Sequence, residues 1–331
     1  DMTVKTKGLL TVLFAYTLAI GLGIVSIFVI SIHEILIHFF GESIQYYLGF
    51  WNDLVFLLEI LIADVVATCV IYGFSVVYKN SSFYDPYWSV IPPFILFFCI
   101  CSHGYPITLP VIALTTATIF WSIRLTLNWM KTWEGLHHED WRYIDMRNRM
   151  GKQFQLLGNF GGIHMYPTLQ VFFCCVPMYF IVQESYMVVN FPQWEGNIIL
   201  PLIGFAISMI GILFEIIADQ QLHDFRMKHP TEKKVIQTGL WNYSRHPNYY
   251  GEILFWWGIY LMGFLQSPWW LLFAPITMTI LFIGASIPWI EMKILRTRPE
   301  YREYQKKVHI LFPEITILKR LFGRYRKLFQ I

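Results

Sequence analysis

The sequence predicts an all-α membrane protein, a polytopic bundle of about eight transmembrane helices with both termini on the cytosolic or matrix side. Two observations support this fold class. Hydrophobic residues make up 56% of the 331 residues and charged residues only 14%, whereas about a quarter of a soluble domain is charged. The apolar runs are also as long as membrane helices, and no stretch shows the alternation of a membrane β-barrel strand. A soluble globular protein is therefore excluded.

Eight apolar segments predict the transmembrane helices. A helix needs roughly 20 residues to cross the hydrocarbon core of a bilayer. The segments are 9–32, 54–78, 88–101, 107–130, 164–183, 197–218, 250–265 and 269–290. The third is marginal in length, and the short seventh is predicted to form a tight helical hairpin with the eighth.

Basic residues lie in every second connection between these segments. Lys and Arg occur in the N-terminal segment, at Lys79, and in the ranges 131–152, 226–245 and 293–327. The connections in between contain no Lys or Arg; they are 33–53, 102–106, 184–197 and 266–268. This alternation follows the positive-inside rule and places both termini on one side.

The domain organisation follows from the same map. The chain has no internal repeat or linker, so we expect a single transmembrane domain, 1–331. Within it we predict an amphipathic loop at 131–163 on the basic side, a half that holds the cofactor pocket at 219–313, and a basic tail at 314–331.

Motifs for metals and nucleic acids do not point to a site. The five cysteines lie in apolar runs and form no CxxC pair, and a disulfide framework is therefore not expected. His137, His138, Glu139 and Asp140 are contiguous and cannot all reach one ion. The Gly-Leu-Gly at 21–23 has no strand before it, so it is not a dinucleotide fingerprint. We expect no metal and no nucleic-acid partner.

Ionisable residues at the basic end of the sixth span predict a binding site, since such residues are costly in a membrane. Asp219, His223 and Arg226 are spaced by four and three residues and share one helix face. Pro247 suits the first turn of a helix whose positive N-terminus would face the same side and attract an anion. The alternative is that these charges only extend from the helix end into water.

The segment around Pro247 carries polar groups on both sides of the proline. Arg245 and His246 precede it, whereas Asn248 and Glu252, four residues apart, share a face with Tyr249 beside them. Arg245 would lie at the membrane surface, and Asn248 and Glu252 would lead from it into the membrane. This arrangement suits a ligand with phosphates at the surface and a reactive ring deeper in the membrane.

The last span adds a further acid. Glu291 follows Pro288, which is predicted to kink the helix there. Segments 219–226, 241–252 and 291–304, together with the 131–163 loop, thus bring polar groups to one side of the bilayer.

Five stretches carry a resemblance to a known family. They are NSSFYDPYWSV (80–90), NWMKTWEGLHHEDWRY (128–143), FEIIADQQLHDFR (214–226), GLWNYSRHPNYYGE (239–252) and IPWIEMKILRTRPEYREYQKKVHILFP (287–313). Together they resemble the steroid 5-alpha-reductase-like membrane superfamily over residues 59–313. Sterol C14 and C24(28) reductases are similar in the C-terminal half, and isoprenylcysteine carboxyl methyltransferases carry a similar Arg-His-Pro element.

The resemblance implies NADPH in a polar cavity and a lipid substrate that enters from the bilayer. Asp219 and Arg226 match cofactor-contacting residues of the family, and Asn248 and Glu252 match its N-x-x-G-E element near the nicotinamide. His223 stands where the steroid reductases have Arg, so one phosphate contact is expected to differ. The predicted cofactor-binding residues are Asp219, His223, Arg226, Arg245, His246, Asn248, Tyr249, Glu252 and Glu291.

For the substrate, the resemblance implies a Glu in the second span and a Tyr near the third that hold a ketone. The chain offers five residues in that region: Glu59, Asp64, Tyr84, Asp85 and Tyr87. We select Tyr84 and Asp85, which lie between the second and third spans, and predict them to be catalytic together with Glu252. The alternative for Asp85 is a turn in which it caps the helix after Pro86.

Three functions stay open. The first is reduction of a lipid C=C bond by hydride transfer from NADPH, in which Tyr84 or a protonated carboxyl stabilises the developing oxyanion. The second is an S-adenosylmethionine-dependent methyltransferase of the isoprenylcysteine type. The third is a reductase-like accessory subunit of a larger membrane complex. Membrane lipids are the expected partners, and the expected location is the endoplasmic reticulum, with the mitochondrial inner membrane as the alternative.

Overall fold

The protein is all-helical, as predicted. The computed structural model describes residues 2–29, 44–191, 196–230, 232 and 234–311. The predicted basic tail 314–331, the end of the first span and the start of the 33–53 connection lie outside these ranges. Within them, β pairing is limited to an isolated bridge between Ser244 and His309.

The α-helices are α1 (Met2–Val29), α2 (Ile44–Val77), α3 (Tyr87–Ser102), α4 (Leu109–Thr132), α5 (Trp141–Met150), α6 (Tyr166–Asn190), α7 (Ile199–Lys228), α8 (Pro247–Met262), α9 (Phe273–Leu281), α10 (Ile287–Thr297) and α11 (Tyr301–Lys307). Two segments wind more widely, as π-helices: Phe154–Met165 and Phe282–Ser286. Short 3-10 helices cover Ser81–Phe83, Gly151–Gln153, Gly239–Asn242 and Trp269–Leu272.

Seven helical segments of the described chain are long and apolar enough to cross a membrane. They are Val4–Ile27, Asn52–Val77, Ser81–Ser102, Leu109–Thr132, Trp141–Asn190, Ile199–Lys228 and Trp269–Thr297. The eighth predicted span, 250–265, is α8, whose 16 residues fall short of the roughly 20 needed for a crossing. The protein is a polytopic membrane bundle, and the side on which its termini lie stays a prediction.

The chain, predicted as one domain, divides into two compact units, each made of two stretches of sequence. Unit 1 comprises 1–105 and 121–179, and unit 2 comprises 106–120 and 180–331.

Unit 1 is organised around the contact of α1 with α2. A Cβ on Gly23 of α1 would lie 2.8 Å from the carbonyl oxygen of Ala63, so the two backbones touch there. Tyr16 donates a hydrogen bond of 2.6 Å to the carbonyl of Phe83. This bond ties α1 to the turn that presents Tyr84.

The predicted loop 131–163 is largely helical. Asp140 begins α5 by accepting a hydrogen bond of 2.8 Å from the backbone N–H of Arg142, as an N-cap does. Glu139 accepts from the backbone of Ser81 and from both terminal nitrogens of Arg147. These contacts fasten the segment to the turn before α3.

Unit 2 is dominated by the contact of α7 with α8. A Cβ on Gly211 would lie 2.5 Å from the carbonyl oxygen of Gly251, and one on Gly204 would lie 2.5 Å from that of Gly258. Ser208, between the two, donates to the carbonyl of Phe255 over 3.0 Å. Small residues in this pattern let membrane helices approach at backbone distance.

Candidate functional site

The close approach of α7 to α8 brings Asp219 and Asn248 together. Asn248 donates to Asp219 over 3.2 Å, and its side-chain oxygen accepts from the backbone N–H of Tyr249 over 3.0 Å. As predicted, α8 begins at Pro247. The Asn248 side chain thus occupies part of the helix N-terminus and links it to the predicted acid of α7.

Two buried carboxyl groups accompany this pair. Glu252, one turn into α8, is 4% exposed and accepts from the indole N–H of Trp256 over 2.9 Å. Glu215 is 1% exposed, and its Cγ would lie 2.6 Å from a Cβ placed on Gly251. The sequence analysis did not select Glu215, although its position four residues before Asp219 places it on the same face of α7.

Tyr249 faces an aromatic environment. Its ring stacks on that of His246 at 5.8 Å and contacts that of Phe282 at 5.0 Å. Phe282 opens the π-helix that precedes Pro288. Glu291, where Pro288 predicted a kink, lies in the regular α-helix α10, and the π-helix ends just before that helix begins.

Arg245, His246 and Glu291 form a buried ionic cluster. The guanidinium of Arg245 contacts the Glu291 carboxylate through two nitrogens, at 2.6 and 3.3 Å, and His246 lies 3.1 Å from the same carboxylate. Arg245 also donates to the carbonyls of Gln305 and Val308. Three predicted cofactor residues thus engage one another, and a direct contact with the cofactor stays a prediction for each.

The segment after α10 completes this cluster. Tyr301 donates to Glu291 over 3.1 Å, and Gln305 donates to it over 2.7 Å. Burial, followed by the negative charge of Glu291, raises the pKa of Tyr301 well above its ordinary value. Burial likewise raises the pKa of Tyr304, which donates to the carbonyl of Trp241. Both hydroxyls therefore stay protonated and act as donors at neutral pH.

The last turn of α7 carries the predicted basic residues. His223 and Arg226 are exposed. Arg226 lies close enough to Arg298 for their positive charges to repel each other. The Nε of Arg298 is buried and has no hydrogen-bond partner among the described residues. Arg298 was not selected from the sequence, although it lies in segment 291–304, which was predicted to bring polar groups to one side of the bilayer.

In unit 1, Tyr84 and Asp85 face different surroundings. Tyr84 is 3% exposed, and its hydroxyl lies 2.8 Å from that of Thr168. Asp85 instead accepts a hydrogen bond from Tyr143 of α5. The residue at the cap of α3 is Pro86, without a side-chain cap, so the alternative of a capping Asp85 does not describe this turn.

Tyr84 belongs to a polar cluster in unit 1. Its members are residues from α2, the start of α3, the longer π-helix and α6: Asp64, Thr68, Tyr84, Tyr87, His164 and Thr168. Within the described chain, Asp64 Oδ2 and His164 Nε2 are buried without a hydrogen-bond partner. Such atoms cost about 1–3 kcal/mol each unless something satisfies them, which makes the cluster a candidate binding site.

Two known proteins are similar in sequence to the chain. Bovine (Bos taurus) 3-oxo-5-alpha-steroid 4-dehydrogenase 1 is 34% identical over 84 residues, 25% of this chain and 32% of that enzyme. The uncharacterized protein C594.04c of Schizosaccharomyces pombe is 28% identical over 292 residues, 80% of this chain and 82% of that protein. No solved structure matches the chain.

A family profile, described as a protein of unknown function (DUF1295), matches residues 71–308. That range includes α3 to α11, the ionic cluster of unit 2, and every member of the polar cluster of unit 1 except Asp64 and Thr68. The chain is therefore a member of the DUF1295 family, within the steroid 5-alpha-reductase-like superfamily.

Proposed function

We propose that the protein is an NADPH-dependent reductase of a lipid C=C bond. The proposal is carried by the set of polar residues at the α7–α8 contact. There Asn248 is hydrogen-bonded to Asp219, and Glu215 and Glu252 are buried. Carboxyls inside an apolar bundle are costly and are typically retained for function. The local similarity to a steroid dehydrogenase supports a redox role.

The basic residues of unit 2 fit the phosphates of NADPH. Arg226 is repelled by the charge of Arg298 and attracted by that of Asp219, and Arg298 Nε lacks a hydrogen-bond partner among the described residues. An anion between two guanidinium groups would relieve the repulsion and satisfy that N–H. We assign these two arginines to the phosphates and Asn248 and Asp219 to the nicotinamide end.

When bound, NADPH would supply a hydride to one carbon of the C=C bond. The other carbon needs a proton, and we assign that proton to Glu252. Glu252 is buried in α8 and accepts a hydrogen bond from the indole N–H of Trp256, and a carboxyl group is one of the side chains that serve as general acids. We further propose that Tyr84 binds lipid within unit 1, where Asp85 accepts a hydrogen bond from Tyr143 of α5.

The proposal is tested by cofactor binding to the full chain in lipid nanodiscs. We expect NADPH to raise the unfolding temperature, and NADH to bind more weakly because it lacks one phosphate. Replacement of both Arg226 and Arg298 by Ala should weaken NADPH binding by about tenfold or more, since each charged hydrogen bond contributes about 1.5–3 kcal/mol. NADH should be affected less.

Arg302→Ala is the matched control, because Arg302 is an exposed arginine of α11 and should leave NADPH binding unchanged. Stabilisation by S-adenosylmethionine, with no response to NADPH, would overturn the proposal in favour of the methyltransferase. Absence of binding by either cofactor, in a protein that co-purifies with other membrane subunits, would favour the accessory role. The proposed setting is the endoplasmic reticulum membrane, with the lipid entering from the bilayer.

A further inference from the structure

The hydroxyl protons of the polar cluster in unit 1 can be assigned from its hydrogen bonds. Thr168 donates to the carbonyl of His164 over 2.8 Å, because a carbonyl oxygen can only accept. A hydroxyl has a single proton, so the two other hydroxyls near Thr168 must donate to it. These belong to Tyr84 and Thr68, each at 2.8 Å. Tyr84 therefore offers a ligand lone pairs rather than a proton.

The same argument applies to the neighbouring tyrosine. Tyr87 is buried and donates its proton to Asp64 Oδ1 over 2.7 Å. Asp64 Oδ2 has no partner in the described chain. An ionised Asp64 would need a donor at that oxygen, whereas a protonated one would need an acceptor. A ligand hydroxyl can act as a donor or as an acceptor toward Asp64 Oδ2, whereas a ketone oxygen can act only as an acceptor.

His164 gives the clearest requirement. Its Nδ1 lies 2.8 Å from the carbonyl oxygen of Asn159, so Nδ1 carries a proton. The side chain is 0% exposed, and among the described residues no charged group acts on the ring. Burial without a counter-ion favours neutral imidazole. Its Nε2 is then a bare acceptor, and that atom lacks a donor in the described chain.

The π-helix accounts for the position of this ring. The contact between His164 and Asn159 spans five residues and lies in the segment Phe154–Met165. Wide turns of this kind are rare and occur frequently at functional sites. The His164 ring also contacts the ring of Tyr84 at 5.0 Å, which places Nε2 in the polar cluster.

We propose that the polar cluster of unit 1 binds the hydroxyl group of a lipid alcohol, which donates its proton to His164 Nε2. A lipid ketone has no proton to give and leaves this atom unsatisfied. The lipid alcohol is the substrate class of the proposed reductase, and calling it a substrate rests on that proposed function. The binding preference itself requires no cofactor.

The test measures lipid binding to the full chain in nanodiscs without cofactor. Unlabelled 5α-cholestan-3β-ol and 5α-cholestan-3-one compete for tritiated 5α-cholestan-3β-ol, and hexadecanol and hexadecanal form a second pair with tritiated hexadecanol. We expect the alcohol of at least one pair to bind about tenfold tighter than its carbonyl partner, the effect of one lost hydrogen bond to a buried acceptor. Equal binding within both pairs would overturn the proposal.

Two variants test whether the preference for the alcohol arises at His164 Nε2. His164→Asn keeps an N–H near the Asn159 carbonyl but removes the acceptor at Nε2, so the preference for the alcohol should disappear. His103→Asn is the matched control, because His103 Nδ1 likewise lies 2.9 Å from a helix carbonyl, that of Cys99. It should keep the preference. A His164→Asn protein that still prefers the alcohol contradicts the proposal.

Thr168→Val provides an independent check if His164→Asn fails to fold. Valine has the shape of threonine but cannot accept a hydrogen bond, so the Tyr84 proton becomes available to a ligand. The ketone should then bind more tightly relative to the alcohol, and an unchanged ratio would argue against the proton assignment. If the parent protein prefers the alcohol but shows no NADPH-dependent turnover, the proposed reductase function is overturned and the alcohol site is not.

Discussion

Glu291 shows how a single residue organises unit 2. Its carboxylate accepts hydrogen bonds from Arg245, His246, Tyr301 and Gln305 and is 7% exposed. A buried carboxylate with this many donors is held in its ionised form. The pair with Arg245 fixes the chain just before Pro247, and therefore fixes where α8 begins.

Glu291→Gln should destabilise the protein strongly. The substitution leaves the Arg245 guanidinium buried without its counter-charge, and breaking one side of a buried pair costs about 3–5 kcal/mol. Denaturant unfolding of the purified protein in detergent measures the change. Glu303→Gln removes an exposed partner of Lys306 and should cause no measurable change. A Glu291→Gln protein as stable as the parent would show that Arg245 finds another partner.

Individual site residues differ in how far the sequence predicts them. Asp219 and Asn248 were both selected, because each lies on a polar helix face that can be read from the spacing alone. Arg245 and His246 were selected too, although not as partners of Glu291. The other partners, Tyr301 and Gln305, were not selected, since they reach Glu291 only through the fold of α11. His164 was missed because α-helical periodicity does not apply within a π-helix.

At the scale of elements, the contact between α7 and α8 depends on glycine. Gly211 and Gly251 face each other where the backbones meet, and a Cβ on either would lie 2.5 Å from the other's carbonyl oxygen. Backbone atoms cannot move aside as a side-chain tip can. The distance between the two helices, and with it the Asn248–Asp219 hydrogen bond, is thus set by the absence of two side chains.

Gly211→Ala should therefore destabilise the protein by about 1–3 kcal/mol, the usual range for overpacking. NADPH affinity should fall in the same variant, because Asp219 and Asn248 separate. Gly73→Ala is the control, since a Cβ there has nothing within 4 Å and alanine favours a helix by about 0.5–1 kcal/mol. Thermal unfolding and cofactor titration measure both effects, and an unchanged Gly211→Ala protein would contradict this packing.

The elements themselves were largely predictable. Long apolar runs fix the transmembrane helices because the bilayer leaves few other ways to satisfy a backbone. The exceptions are α8, which has only 16 residues, and the 131–163 segment, which contains α5 and most of the longer π-helix. The form of the 131–163 segment depends on contacts with distant residues such as Asn80 and Ser81, which hydropathy does not reveal.

At the scale of the whole molecule, charge distribution makes the strongest prediction. Basic and non-basic connections alternate along the chain, which requires α8 to cross as an eighth span. The N-terminal segment and the α11 region should then lie on one side of the membrane. The division into two units, each made of two separate stretches, was not predicted. It follows from packing rather than from any linker.

Cysteine substitutions test this topology. Cysteines introduced at Lys5 and Lys307 should react with a membrane-impermeant thiol reagent from the same side. One at Trp269, which is 84% exposed, should react from the opposite side. The five native cysteines are first replaced, and permeabilised membranes provide the control for reactivity. If the cysteines at positions 5 and 307 were labelled from opposite sides, the topology predicted from the alternating basic connections would be wrong.

The glycine contact between α7 and α8 also has a genetic consequence. Substitutions there act on stability and on ligand affinity through one and the same displacement. Alleles altered at Gly204, Gly211, Gly251 or Gly258 should therefore behave as temperature-sensitive, with function at low growth temperature and loss at high temperature. Alleles altered at Glu252 should be defective at every temperature, because a missing carboxyl is not restored by cooling.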